Sequence, residues 1–240
     1  ICIHDNMPLR ISRCSADRLN QGRFRTQESL FIRIQNRHQR NLRDIQTLTK
    51  QVDPDKYGGT CRETESEIIM SNIRIGHMTL GIYQTNCYFV YRENSDKVLV
   101  FDPADHGEKI EAALGQHGLH TAAILLTHGH FDHIGGCEEL KAAADAYAGE
   151  HGENPVKIYA GEAEKKFLLD TKSNLSKDMG RPVTVTADVY LKDGEELDLD
   201  GIRIKVLATP GHTAGGVSYY FPEGGFLICG DTLFQESVGR

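Results

Sequence analysis

No stretch of this 240-residue chain stays apolar for the roughly 20 residues that a membrane-spanning helix requires. None of its basic stretches is followed by the apolar core of a secretory signal. The six cysteines (Cys2, Cys14, Cys61, Cys87, Cys137 and Cys229) form no Cys-x-x-Cys pair and no disulfide-like rhythm. Reduced thiols in a cytoplasmic protein are the simplest reading of that usage. Positive charge is short as well, with 27 Lys+Arg against 34 Asp+Glu and a net charge of −7. Such a balance gives no general attraction to nucleic acid or to an anionic membrane. No glycine-rich turn resembles a phosphate loop.

The charge is unevenly spread. Residues 1–69 carry 12 of the basic and 9 of the acidic residues, which leaves 15 against 25 for residues 70–240. Glycine divides as 3 and 21 across the same boundary. Two kinds of sequence are joined near Met70. The first is expected to be a poorly structured basic segment, outside the catalytic domain or even an extension of the reading frame. Within it, Leu30, Ile34, Leu42, Ile45, Leu48 and Val52 fall loosely on one face of a helix over 29–52. Asp5, Asp17 and Asp44 fit a transit peptide poorly.

From residue 73 the pattern changes to short strands with single helices between them. Strands are expected over 73–75, 78–82, 87–91, 98–101, 122–126, 156–159 and 183–190. Helices are expected over 107–117, 137–147 and 161–170. Asp200-Gly201 between strands 196–199 and 202–208 is a strong hairpin signal. A last pair of strands follows over 217–221 and 226–229. This mixture excludes a simple parallel doubly wound fold and reads as a two-sheet α/β protein.

The chain is organised around residues 122–136, where an apolar run stops at Thr127 and gives way to His128, His130, Asp132 and His133. Residues two apart on an extended backbone point the same way, so His128 and His130 could grip one metal ion while Asp132 and His133 reach a second. Gly135 and Gly136 permit a sharp turn into the next helix. Imidazoles with a carboxylate suit zinc, with iron and manganese as alternatives. With 11 histidines in the chain, chance would place such a string in about one chain in a thousand.

These residues, together with Thr209-Pro210-Gly211-His212-Thr213 and Gly230-Asp231-Thr232-Leu233-Phe234, resemble the metallo-β-lactamase superfamily. The surroundings are most similar to its small glyoxalase II-like, hydroxyacylglutathione hydrolase-type members. The resemblance covers residues 70–240. It implies an αββα sandwich of two mixed β-sheets flanked by helices, with metals at one edge between the sheets. It assigns His128, His130 and His212 to one metal, Asp132 and His133 to a second, and Asp231 to both, with Asp132 and Asp231 as catalytic carboxylates. Asp102 falls where the superfamily often has an aspartate supporting the metal loop, although a turn role suits it equally.

The activity implied is a metal-dependent hydrolysis, by a metal-bound hydroxide, of a small-molecule thioester. A thiolate leaves without a protonated acid beside it, which suits a site whose motifs offer no further acid. An iron-dependent persulfide dioxygenase and an inactive fragment or binding module are the alternatives. A β-lactamase fits less well, since the commonest lactamases place cysteine where Asp231 stands. The family's last histidine ligand would lie beyond Arg240, so the domain is expected to be C-terminally truncated.

Overall fold

A computed structural model describes residues 72–234 and 236–240. The expected basic segment over 1–69 and the helix over 29–52 lie outside the described residues. The chain from residue 73 builds a six-stranded sheet, a four-stranded sheet and a small terminal hairpin.

The first sheet contains β1 (Ile73–Leu80), β2 (Thr85–Arg92), β3 (Lys97–Phe101), β4 (His120–Leu125), β5 (Lys157–Gly161) and β6 (Val189–Leu191), in that spatial order. The pairs β1–β2 and β2–β3 are antiparallel, and the pairs from β3 to β6 are parallel. Crossovers α1 (Gly107–Gln116) and α3 (Cys137–His151) serve the parallel part, as parallel neighbours require. The second sheet is an antiparallel meander of β7 (Glu196–Leu199), β8 (Ile202–Ala208), β9 (Val217–Phe221) and β10 (Phe226–Ile228). A short hairpin of β11 (Leu233–Phe234) and β12 (Ser237–Val238) follows.

Side-chain alternation in β3 and β4 divides the interior in two. Val98, Val100 and Ile124 point to one side, where Ile110 and Leu114 of α1 and Leu140 and Ala144 of α3 meet them. Leu99, Phe101, Ala123 and Leu125 point to the other, against Ile202, Ile204, Val206, Tyr219 and Phe221 of the second sheet. Period-two patterning thus forces a layer on each face of the sheet. Phe101 anchors the inter-sheet core edge-on to Tyr219 at 5.3 Å and to Phe221 at 5.8 Å. Burying a ring of this size contributes about 2–3 kcal/mol. The result is the αββα sandwich, of which the described residues supply both sheets and the helical layer over the first. No helix among the described residues is long and apolar enough to cross a membrane.

Three local expectations change. The two strands expected over 73–75 and 78–82 are one strand, Ile73–Leu80, paired throughout with β2, Gly76 lying opposite Phe89 without interrupting the register. Only Val189–Leu191 of the stretch 183–190 is a strand. On irregular backbone, Val185 is a core residue and Val183 packs against the core, with the Val185 amide donating to the Leu168 carbonyl. The helix expected over 161–170 is split into a 3-10 turn, Glu162–Glu164, and a five-residue helix, α4 (Lys165–Leu169).

Candidate metal centre

Every candidate side chain sits just past the end of a strand, and the strands come from both sheets. His128 follows β4, His212 follows β8 and Asp231 follows β10. Beyond β4 the chain bends at Thr127, is extended at His130 and then makes a single helical turn, α2 (Phe131–Ile134), carrying Asp132 and His133. Gly135 and Gly136 lie so close to the backbone of residues 103–105 that neither position has room for a Cβ. The Gly136 amide donates to the Pro103 carbonyl at 2.7 Å, which fixes the turn into α3.

On the second sheet, the loop after β8 is closed by Thr209 N–H donating to Gly216 at 2.9 Å and Gly211 N–H donating to Thr213 at 2.9 Å. This closure turns His212 toward the first loop, as the Pro-Gly step before it suggests. Two bonds join the sheets beneath the site. Val217 N–H donates to the Thr127 carbonyl at 2.8 Å, and the buried Tyr219 hydroxyl donates to the Leu126 carbonyl at 2.8 Å.

The imidazoles of His128, His130 and His212 form a triangle with ring centroids 4.6–4.9 Å apart. Their nitrogens satisfy one another's distance as a candidate metal group, and His128, His133 and Asp231 form a second such group. Asp231 stands between the two. Its Oδ1 lies 3.3 Å from His133 Nε2 and its Oδ2 lies 3.6 Å from His212 Nε2. Asp132 stands at the margin, with Oδ2 3.8 Å from His133 Nε2 while accepting from the Thr85 hydroxyl at 3.1 Å.

The Nδ1 atoms decide which nitrogen is free. Thr127 Oγ1 donates to Asp102 at 2.7 Å and therefore accepts from His128 Nδ1–H at 3.1 Å. His133 Nδ1–H donates to Asp102 Oδ2 at 3.0 Å, and His212 Nδ1–H donates to the Arg240 carbonyl at 3.1 Å. All three Nε2 atoms are left facing inward. Those of His128 and His212 are buried without a hydrogen-bond partner, a costly arrangement unless something accepts their lone pairs. A divalent cation fits these inward-facing nitrogens in chemistry and in number of donors. Asp102 thus supports the loop that carries these histidines, since it accepts from Thr127 N–H at 2.8 Å as well.

The electrostatics agree. Burial holds the His128 pKa well below its usual value, and the neighbouring His133, His130 and His212 add to this. Burial and then His212 lower that of His130. Burial acts in the same sense on His133, but Asp102 and Asp231 outweigh it and push this histidine up to about 10. Burial would raise Asp231, yet His133, His212 and His130 bring it below the usual carboxylate value.

Sequence reasoning overlooked Glu164, whose carboxylate reaches the Gly129 amide between His128 and His130. The available signal was topological. β4 and β5 are parallel neighbours, so the residues just after β5 lie beside those just after β4.

A probable metallo-hydrolase, YqgX, of Bacillus subtilis (strain 168) is 38% identical over 166 residues, 68% of this chain and 72% of that protein. Hydroxyacylglutathione hydrolase GloC of Haemophilus influenzae is 30% identical over 66% of this chain and 71% of its own length. Among solved structures, BLEG-1 B3 metallo-beta-lactamase superposes with a TM-score of 0.59 and 36% identity, over 70% of this chain and 76% of that one. The family model of the metallo-beta-lactamase superfamily matches residues 80–240. The chain belongs to the metallo-beta-lactamase superfamily.

Proposed function

We propose that this protein is a metal-dependent hydrolase of small-molecule thioesters, of the hydroxyacylglutathione hydrolase type. The observation that carries the reading is the Asp231 carboxylate, set with one oxygen toward His133 and the other toward His212. In this reading His128, His130 and His212 hold one metal, His133 and Asp132 help to hold a second, and Asp231 serves both. Zinc is the favoured ion, with iron and manganese as alternatives. When bound, such a pair supplies an acidified water and polarises the scissile carbonyl.

The protein's own residues prepare that chemistry. Asp102 orients His133 directly and His128 through Thr127, which keeps each Nε2 turned inward. Asp231 and Asp132 supply the negative charge that two dications need in a partly dry cleft. A thiolate leaving group has a pKa near about 8.5 and departs without a proton donor, whereas an amine requires one. The resemblance to GloC of Haemophilus influenzae supports the thioester class. A cytoplasmic location belongs to the same reading, and the unbridged thiols of Cys87 and Cys137 support it.

The test is a substrate panel on the 240-residue chain loaded with zinc, iron or manganese. Lactoyl-thioesters of glutathione and of a second thiol should be cleaved without oxygen uptake. Faster turnover of a β-lactam, or iron-dependent oxygen consumption with a persulfide, would overturn the thioester assignment.

A further inference from the structure

We propose that Glu164 is a positioning residue, tying together the loop that carries His128 and His130 and the loop that carries His212. The proposal rests on the reading of these histidines as metal ligands.

Glu164 closes the 3-10 turn after β5 and is 1% exposed. Its Oε1 accepts at 2.9 Å from the amide of Gly129, the one residue between His128 and His130. Its Oε2 is buried and turned toward the Thr213 hydroxyl and the Gly215 amide, short of full hydrogen-bond geometry. Thr213 directly follows His212. The packing leaves no slack at this junction. A Cβ at Gly215 would overlap the Glu164 backbone, and one at Gly161 would overlap the Gly215 carbonyl. At Gly129 a Cβ would press on Leu168 and Phe167 at 2.9 and 3.0 Å.

One carboxylate is therefore clamped between two loops that come from different sheets. A buried acid with a single complete hydrogen bond is expensive as mere packing. Drawing the Gly129 amide and the Thr213–Gly215 segment onto one group fixes how far apart the two sets of imidazoles stand. Supporting groups of this kind are commonly worth 10–100-fold in metal affinity.

The test compares Glu164→Leu and Glu164→Gln with the wild type in the full 240-residue chain. Zinc and cobalt(II) affinities are measured by chelator competition, the cobalt(II) visible spectrum reports ligand geometry, and thermal melting reports stability. Leu140→Ala, on the core-facing side of α3, is the control for general destabilisation. Glu164→Leu should bind about 10–100-fold more weakly with an altered cobalt spectrum, and Glu164→Gln, which keeps an acceptor for Gly129, should lose only several-fold. Leu140→Ala should melt earlier and bind metal normally. Wild-type affinity in either folded Glu164 variant would overturn the proposal, as would an equal loss of affinity in Leu140→Ala. A wild-type chain that binds neither ion would overturn the ligand assignment itself, and this proposal with it.

Discussion

The carboxylate of Asp102 holds the imidazole of His133, with Oδ2 3.0 Å from Nδ1 and both side chains almost wholly buried. The same carboxylate takes both the amide and the hydroxyl of Thr127. One residue therefore orients a candidate ligand of each metal group, directly in one case and through a threonine in the other. Its backbone is in the left-handed region at φ 50°, a conformation that asparagine tolerates well.

Asp102→Asn should consequently fold, yet offer one acceptor oxygen where three donors converge. The expected result is a 10–100-fold weaker second metal, seen as a lower metal-to-protein ratio after dialysis. An unchanged ratio would remove Asp102 from the supporting role.

Among the ligands themselves, His212→Ala is the sharpest single change, since its Nε2 is buried and faces the other two imidazoles. Loss of a ligand should exceed the 10–100-fold that a supporting partner is worth. Chelator competition checks this directly, and a variant that retains wild-type affinity would rule His212 out.

The proton count of metal binding follows from His133. Its pKa is raised from 6.5 to about 10, so in the metal-free chain its ion pairing stabilises the fold fully below pH 6.5. That contribution is lost as pH rises through about 10. Metal needs the Nε2 lone pair, so binding at neutral pH must expel this proton, while the lowered His128 and His130 give up none. Calorimetry at pH 7.5 in two buffers of different ionisation enthalpy should report release of about one proton with the second metal. Release of none would contradict the charged His133.

Tyr219→Phe tests the seam under the site. Its hydroxyl is buried and donates to the carbonyl of Leu126, two residues before His128. Deleting that donor should cost about 1–1.5 kcal/mol, read from the urea midpoint, with an unchanged slope. A midpoint equal to the wild type would show that the bond contributes nothing.

Much of the site could be read from the sequence because its residues carry local signals. The histidine string follows an apolar run, His212 follows Pro-Gly, and Asp231 follows a strand. The Asp200-Gly201 turn, with φ of 50° and 71°, forms the hairpin that its residue types demand. Where the sequence misled, the decisive force was tertiary. Val183 and Val185 look like strand residues, but Val185 fills the core and Val183 packs against it from irregular chain that bonds to Leu168. Glu164 carries no motif at all. Its meaning depends on β5 lying beside β4 and on Gly215 approaching from the other sheet, and neither is written in the residues around it.

The arrangement of ligands also sets the order of events during folding. His128 and Asp231 are 103 residues apart in sequence and follow strands of different sheets, so no early, local piece of structure contains a complete site. Contacts of such long range form late. Metal can then neither nucleate the chain nor guide its first turns, unlike a small zinc-organised domain that is unfolded without its ion. Refolding rates should be the same with and without zinc, and the metal's influence should appear as slower unfolding of the finished protein.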